Sequence, residues 1–170
     1  TMPADDGSTV NCPDLTDVVP TLPVVVDGCS VTLTAGAPTI DPKPACEGTR
    51  AYVYPYTDCL SNTYYWTYTY TVEYDDFTMP ADGASTVACP DLTDAVPTAP
   101  SVNDNCGNAI TPTGPVVSAK PACEGTRTYV WNYTDCEGNT HDWTYTYTVE
   151  YDDFVMPADG ASTVNCPDLT

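Results

Sequence analysis

Aromatic or valine residues alternate with threonine or glutamate along two stretches of the chain, residues 66–74 and 143–151. Successive side chains of a β-strand point to opposite faces, so this alternation predicts one strand in each stretch. In the second stretch we expect the following side chains to face the core: Trp143, Tyr145, Tyr147, Val149 and Tyr151. We expect the intervening side chains to face outward: Thr144, Thr146, Thr148 and Glu150. Each stretch therefore predicts a strand with one apolar and one polar face.

A second β-rich run precedes this strand and covers residues 126–134. The turn-forming sequence Asp-Cys-Glu-Gly-Asn-Thr at residues 135–140 joins the two runs, which predicts a β-hairpin. Shorter strands are expected near residues 85–89, 98–104 and 109–117, separated by proline-rich connections. Several short strands in one small unit predict an all-β, immunoglobulin-like β-sandwich.

The whole pattern repeats with a period of 77 residues, so that the sequence Met-Pro-Ala-Asp at Met2 returns at Met79 and Met156. Such a period indicates tandem structural units. We expect one repeat over residues 1–77, a second over 78–154, and the first strand of a third over 155–170. The chain then resembles a slice of a longer array. A unit of this size is near the lower limit for a self-sufficient hydrophobic core, so we expect disulfides to supplement it.

Four cysteines recur in each repeat without an insertion. Cys123 and Cys136 bracket one extended strand, and at about 3.3 Å per residue they lie too far apart for a disulfide. If successive strands run in opposite directions between the two ends of the unit, the first and third cysteines lie at one end, and the second and fourth lie at the other. We therefore predict disulfides within each unit. The predicted pairs are Cys12 with Cys46, Cys29 with Cys59, Cys89 with Cys123, and Cys106 with Cys136.

The ninth cysteine, Cys166, lies in the predicted first strand of the third repeat. Alone, that strand would expose an unpaired edge and a thiol. We expect residues 155–170 to complete a sandwich with residues beyond this segment, and Cys166 to bond the third cysteine of that next unit. Continuity of one polypeptide is favoured over a swapped copy, because residues 1–16 already supply the same strand to the first unit.

The amino-acid composition limits which binding partners and which cellular compartment we expect for the protein. Twenty-four acidic and four basic residues give a net charge of −20, which excludes nucleic acid and disfavours an anionic membrane surface. No stretch approaches the roughly 20 apolar residues of a spanning helix, and no signal peptide is evident. Seventeen prolines disfavour long helices. Nine cysteines indicate an oxidising, extracellular or cell-surface location.

Short motifs give the repeat a family resemblance. The sequence Thr-Asp-Cys-Glu-Gly-Asn at residues 134–139 precedes the threonine-alternating strand, and it combines with Cys89-Pro90 and Asn-Asp-Asn-Cys-Gly at residues 103–107. With these motifs the unit resembles the hyalin-type (HYR-like) repeats of bacterial surface proteins. The first repeat departs from them at residues 60–61 and at residues 27–28. The resemblance implies an immunoglobulin-like fold, an extracellular location and an adhesive or structural role, and it implies no catalytic residues.

Candidate catalytic chemistry is sparse, so we expect no enzyme. The single histidine, His141, stands where the first repeat has Tyr64, so we interpret it as a surface turn residue rather than part of a triad. The cysteine spacings of 17, 17 and 13 residues do not match a zinc site and favour disulfides. The sequence contains neither a glycine-rich phosphate loop nor a nucleophile elbow.

Carboxylates at the repeat boundary are the one candidate for a bound cofactor. They are Glu73, Asp75, Asp76 and Asp82 at the first boundary, and Glu150, Asp152, Asp153 and Asp159 at the second. Hard oxygen ligands at such a joint could hold Ca²⁺ and stiffen the array. The alternative, which we favour, is an acidic, solvated surface that keeps an extracellular protein soluble.

Threonine and asparagine side chains are candidates for covalent glycans. The outward threonine rows are candidate O-glycosylation sites, although threonine also suits any strand. These threonines are Thr67, Thr69, Thr71, Thr144, Thr146 and Thr148. Asn132 begins the one N-glycosylation sequon, where the first repeat has Pro55.

These patterns together predict a structural protein of an extracellular fibre, built from head-to-tail immunoglobulin-like repeats and glycosylated. Its partners would be adjacent copies of the same repeat. The alternative is an adhesin stalk or a surface module that binds carbohydrate through exposed aromatic residues. Burial of the tyrosine and tryptophan rows would favour the structural interpretation.

Overall fold

The structure, a computed structural model, describes residues 2–161 of the chain. Cys166 and most of its predicted strand lie outside the described residues. The described part of that segment, residues 155–161, forms no strand. Within residues 2–161 no helix has the length and apolar character needed to cross a membrane.

The first unit contains six strands and one short 3₁₀ turn. The strands are β1 (Asp6–Val10), β2 (Val25–Val26), β3 (Thr32–Leu33), β4 (Thr39–Ile40), β5 (Gly48–Thr57) and β6 (Thr63–Val72), and the 3₁₀ turn is Pro13–Asp17. One sheet has the order β1-β6-β5-β4, and β2 pairs with β3 in a second, smaller sheet. β1 runs parallel to β6, whereas the other pairs are antiparallel.

The second unit repeats this arrangement. Its elements are β7 (Gly83–Val87), β8 (Val102–Asn103), β9 (Ala109–Ile110), β10 (Thr113–Val117), β11 (Gly125–Thr134), β12 (Thr140–Val149) and the 3₁₀ turn Pro90–Asp94. The large sheet has the order β10-β11-β12-β7, and β8 pairs with β9. The predicted all-β fold of tandem sandwiches is therefore confirmed, as is the hairpin that joins β11 and β12.

The alternating pattern produces the core of each unit. In the second unit Val102 of the small sheet packs against the aromatic row of the large sheet, which makes a two-layer sandwich. Trp131 and Trp143 face each other across the hairpin with ring centroids 5.4 Å apart. Burial of paired aromatic residues is the main apolar contribution to such a small domain.

Tyrosine hydroxyls tie the irregular segments to the sheets. The Tyr129 hydroxyl donates to the carbonyl oxygen of Thr93 at 2.6 Å, and the Tyr147 hydroxyl donates to that of Ala95 at 2.9 Å. Because a buried hydroxyl without a partner is unfavourable, these bonds let tyrosine serve as a core residue. The polar tip fastens the loop while the ring fills the core.

All four basic residues form ion pairs within their own unit. Lys120 contacts Asp91 and Asp94, and Arg127 also contacts Asp94. Lys43 and Arg50 make the equivalent pairs in the first unit. Positive charge is therefore confined to the turn that follows the first strand of each large sheet, and the excess negative charge remains uncompensated elsewhere.

The end of the alternating strand differs from the prediction. β12 ends at Val149, so Tyr151 lies beyond the strand and is exposed rather than directed into the core. Tyr145 is half-buried, because it packs at the margin of the aromatic cluster. Trp143, Tyr147 and Val149 are buried as predicted.

Candidate functional site: the junction between the units

Two disulfides join the first unit to the second across their junction. Cys12 bonds Cys106, and Cys46 bonds Cys136, with Cα atoms 5.7 and 5.8 Å apart. The first cysteine of the first unit therefore bonds the second cysteine of the next unit, and the third bonds the fourth. The remaining cysteines within residues 2–161 are exposed free thiols. They are Cys29, Cys59, Cys89 and Cys123.

The predicted pairing within units is therefore wrong, and the sheet order explains why for the first and third cysteines. Val10 and Gly48 both pair with Val72, on opposite sides of β6. Cys12 lies just after Val10 and Cys46 just before Gly48, so about two strand spacings, roughly 10 Å, separate them. A disulfide needs a Cα separation of about 5.5 Å. The same register in the second unit disfavours the predicted bond from Cys89 to Cys123.

The second and fourth cysteines also belong to different elements of their unit. Cys106 lies in the turn between β8 and β9 of the small sheet, and Cys136 lies in the turn between β11 and β12 of the large one. Packed sheets lie roughly 10 Å apart, so these turns do not place the two sulfurs together. The equivalent turns of the first unit hold Cys29 and Cys59 apart for the same reason.

Aspartate side chains shape the four turns that carry these second and fourth cysteines. In one turn the Asp104 carboxylate accepts hydrogen bonds from the backbone N–H groups of Cys106 and Asn108, at 2.9 and 2.8 Å. Burial raises the pKa of Asp104, but hydrogen bonds from Asn108 and the backbone outweigh it and hold the pKa below its usual value. Asp27, Asp58 and Asp135 accept equivalent bonds in the other three turns. The turns therefore present their cysteines in preformed loops.

Two aromatic residues from the connecting segment are buried at the junction. Phe77 is 3% exposed and joins the hydrophobic core of the second unit. Tyr74 is 9% exposed, and its hydroxyl donates to the Asp104 carboxylate at 3.1 Å. Burial, together with this carboxylate, raises the pKa of Tyr74. The end of the first repeat thus completes the core of the second.

Polar contacts fasten the connecting segment from the side of the second unit. The Asn105 side-chain amide donates to the carbonyl oxygens of Asp75 and Asp76, each at 2.8 Å. The His141 ring lies edge to face with Phe77 at 4.8 Å, and its Nε2 contacts the Asp76 carboxylate at 2.8 Å. His141 therefore lies in β12 and contacts the junction, and its interpretation as a surface turn residue is wrong.

A pair of carboxyl groups lies beside one of the disulfides. Glu47 follows Cys46, and Glu137 follows Cys136. The two glutamates line one small surface cavity. The neighbouring carboxyl of Glu47, together with desolvation, raises the pKa of Glu137. At neutral pH the two groups therefore repel each other across the junction.

The carboxylates proposed as calcium ligands are not gathered into one cluster. Within residues 2–161 no group of three or more acidic, histidine or cysteine side chains is arranged to hold a metal ion. The Asp76 carboxylate is already engaged by His141. The junction is instead held by disulfides, aromatic packing and hydrogen bonds, and calcium stays a prediction.

The predicted glycosylation residues lie on the outer faces of the large sheets. The threonine rows of β6 and β12 are half-buried between neighbouring strands. The Asn132 amide donates to the Asp142 carboxylate at 2.9 Å, and Thr134 donates to the Asn132 side-chain oxygen at 3.1 Å. Modification at Asn132 would have to replace the first of these bonds. The glycan sites also stay predictions.

The 77-residue register contains the signal that would have located the junction. Tyr74 and Phe77 recur as Tyr151 and Phe154. The two tyrosines are the last residues of the predicted strands, but the two phenylalanines lie beyond them, which indicates a role outside the sheet. By contrast, Asn105 and His141 replace Gly28 and Tyr64 of the first repeat. Asn105 and His141 therefore make contacts that are specific to the junction between the first and second units.

Comparison with known families agrees with this architecture. The model of the family described as "HYR-like domain with 4 cysteines" matches residues 1–72 and 77–149. HYR-like domains are non-catalytic, immunoglobulin-like modules. No curated protein matches the chain.

Proposed function

The chain belongs to the family of HYR-like domains with four cysteines, and from this we propose that it is a structural protein of an extracellular fibre built from head-to-tail units. Its disulfides and its family indicate an extracellular or cell-surface repeat module. The fibre, its glycan coat and the bacterial surface context belong to the proposal.

The doubly disulfide-bonded junction is the observation that carries this proposal. A single bond between two domains leaves them free to rotate about it, whereas two separate bonds restrict that rotation. Cys12 and Cys46 lie at one end of the first unit and bond Cys106 and Cys136 of the second. Because cysteines recur at all four of these positions in every repeat, the same junction can be repeated along an array.

The distribution of charge suits a fibre that stays separate from its neighbours. The net charge is −20, and each basic residue is paired within its own unit. Like-charged surfaces repel, so side-by-side association is disfavoured while the disulfide-linked axis is unaffected. Sugars on the outward threonine rows would reinforce this separation.

Burial of the aromatic residues favours a structural role over carbohydrate binding. A binding module needs an exposed cluster of aromatic rings, but the inward rows of both large sheets are buried. They include Tyr52, Tyr54, Tyr56 and Trp66 in the first unit, and Tyr129, Trp131, Tyr133 and Trp143 in the second. The buried surface of these aromatic rings stabilises the domains and is not accessible to ligands.

Electron microscopy of the native material tests this function. We expect unbranched filaments whose axial repeat equals the length of one or two units. Mass spectrometry of the same material should show hexose-containing mass added to threonine in addition to the polypeptide. Isolated globular particles in place of filaments would reject the fibre, and a bare polypeptide mass would reject the glycan coat alone.

A further inference from the structure

The far end of the second unit repeats the residues of the junction but is uncovered. Phe154 is 78% exposed although its counterpart Phe77 is 3% exposed, and Tyr151 is 46% exposed although Tyr74 is 9% exposed. Cys89 and Cys123, the counterparts of the bonded Cys12 and Cys46, are exposed free thiols at this end. We call this surface the trailing end: Cys89, Cys123, Tyr151 and Phe154.

The opposite end of the first unit carries an empty pocket. It has a volume of about 360 Å³ and is lined in part by Met2, Val25, Leu33 and Tyr64. Cys29 and Cys59, the counterparts of the bonded Cys106 and Cys136, are exposed free thiols in the first unit. We call this surface the leading end: the pocket with Cys29 and Cys59.

The pocket corresponds to the site that Phe77 fills in the second unit. Met79, Val102 and Ile110 stand one repeat after Met2, Val25 and Leu33. In the second unit these three residues belong to the core cluster that contains Phe77.

The cluster of the first unit contains no phenylalanine among its described residues. Its pocket is therefore the same site without the aromatic residue that fills it in the second unit.

We propose that the two ends are complementary halves of one interface, and that the pocket binds Phe154 of a second copy of this chain. In the joined pair, Cys89 of one copy bonds Cys29 of the other, and Cys123 bonds Cys59. This inference rests on the proposed function and names the partner and the residues of its assembly. The interface is heterologous, so it joins copies head to tail, and these form a filament when the rotation between copies does not close a ring.

The turns of the leading end are already in the bonded geometry. The Asp27 carboxylate accepts hydrogen bonds from the N–H groups of Cys29 and Val31, at 2.8 and 2.9 Å, as Asp104 does for Cys106 and Asn108. Ser30 has φ of 64°, in the left-handed region that Gly107 occupies at 85°. Little rearrangement of these loops is needed for a second copy to bind.

Three replacements distinguish this interface from the internal junction. Gly28, Leu60 and Tyr64 stand where the second unit has Asn105, Glu137 and His141. The Tyr64 hydroxyl can donate to a carboxylate as the histidine does, so it can meet Asp153 of the second copy. Glu124 of the other copy is the counterpart of Glu47, and it would lie beside Leu60 where Glu47 lies beside Glu137. The repulsion between two carboxylates is therefore absent from this interface.

Each intermolecular bond forms by thiol–disulfide exchange with a small disulfide such as oxidised glutathione. The Cys89 thiolate attacks that disulfide, forms a mixed disulfide and releases one glutathione. The Cys29 thiolate of the second copy then attacks the Cys89 sulfur and releases the second glutathione. One oxidised glutathione thus gains two electrons, and the two cysteine protons end on the two reduced glutathiones.

Mixing of variants blocked at one end tests the interface. All proteins carry Cys166→Ser, so the ninth cysteine does not contribute. One variant has Cys29→Ser with Cys59→Ser, and the other has Cys89→Ser with Cys123→Ser. Each is held in a glutathione redox buffer and examined on a non-reducing gel.

We expect a ladder of polymers from the unblocked chain, monomers from either variant alone, and dimers that do not extend from the mixture. Peptide mapping of the dimer should recover Cys89 linked to Cys29 and Cys123 linked to Cys59. A ladder from either blocked variant, or a bond between Cys89 and Cys123 of one chain, would overturn the proposal. Because the substituted thiols are unbonded in the monomer, each variant should retain both internal disulfides, which the same map checks.

The role of the pocket is tested separately from that of the thiols. In the variant with a free trailing end, Phe154→Ala should lower the initial rate of dimer formation at least tenfold. Val155→Ala, at the adjacent exposed residue, is the matched control and should change that rate less than twofold. Equal effects of the two substitutions would show that the pocket does not receive Phe154.

The outcomes separate this inference from the proposed function. Filaments in the native material with other intermolecular cysteine pairs would leave the fibre intact and reject this interface. Correctly paired dimers in the mixture with no filaments in the native material would retain the interface and reject the fibre.

Discussion

Phe77 contributes to the second unit from outside its sheets. Its ring joins the buried cluster that includes Val102 and Trp143, and it lies edge to face with His141. A buried ring removed from such a cluster leaves a cavity whose lining loses its contacts. The junction is therefore part of the core of the second unit and not a linker between two finished domains.

Replacement of this ring should destabilise the second unit. We expect Phe77→Ala to lower its free energy of unfolding by about 3 kcal/mol, the range for an aromatic residue removed from a core. Phe154→Ala is the matched control, because the same residue type at the same repeat position is exposed and should change stability by less than about 0.5 kcal/mol. Urea unfolding of the chain with its free thiols alkylated, followed by tryptophan fluorescence, measures both. Equal losses would contradict the assignment of Phe77 to the core.

The carboxyl pair at the junction makes its stability depend on pH. Glu47 raises the pKa of Glu137 in the folded chain, so protonation of Glu137 stabilises the fold. This contribution is fully present below the usual glutamate pKa and is lost as the pH rises through the raised value. Glu137→Gln should therefore raise the urea midpoint at pH 7 and leave it nearly unchanged at pH 4. In a Glu47→Gln background, where the first cause of the raised pKa is removed, Glu137→Gln is the control and should show a smaller difference between the two pH values.

At the scale of elements, the cysteine-bearing turns show how the two repeats reach one geometry with different residues. Gly138 has φ of 90°, and Ser61 at the equivalent position has φ of 66°. A residue with a Cβ atom is disfavoured by roughly 1 kcal/mol in this left-handed region, whereas glycine is not. The first repeat therefore retains the turn despite the loss of its glycine.

Relief of this strain should stabilise the first unit. We expect Ser61→Gly to raise its free energy of unfolding by about 0.5 kcal/mol, since removal of the steric cost exceeds the added entropy of the unfolded chain. Ser101→Gly, at a residue outside the left-handed region, should be neutral or slightly destabilising. Denaturant unfolding of both variants compares them. A loss of stability in Ser61→Gly would show that the turn is not strained.

The sequence predicts the elements with local patterns and misses those that depend on distant pairing. The hairpin of β11 and β12 follows from alternation and one turn, and in the structure these strands pair antiparallel over ten residues. The parallel pairing of β1 with β6 joins strands more than fifty residues apart, and no local pattern specifies it. The predicted disulfide between Cys12 and Cys46 is wrong because β6 lies between the strand that precedes Cys12 and the strand that follows Cys46. The sequence does not predict the junction residues, because repeats that are treated as closed units have no contacts with each other.

At the scale of the whole molecule, the cysteines divide the chain differently from the sequence repeats. Each repeat contains four cysteines, but the first and third cysteines of the first repeat bond the second unit. Tyr74 and Phe77 likewise lie in the first repeat and are buried against the second. Cooperation between units therefore depends on the junction, whereas separate domains on a flexible linker would unfold independently.

Loss of the junction disulfides should uncouple the two units. The bonds join residues 94 and 90 positions apart, and a cross-link over about this length stabilises a fold by roughly 4 kcal/mol through the entropy of the unfolded chain. We expect replacement of Cys12, Cys46, Cys106 and Cys136 by serine to lower the urea midpoint and to split one transition into two. Replacement of Cys89 and Cys123 alone, which occupy the same repeat positions as Cys12 and Cys46 but are unbonded, should shift the midpoint by less than the equivalent of about 0.5 kcal/mol. A single unsplit transition in the quadruple variant would mean that aromatic packing at Phe77 suffices to couple the units, and the disulfides would then lock the joint without determining its cooperativity.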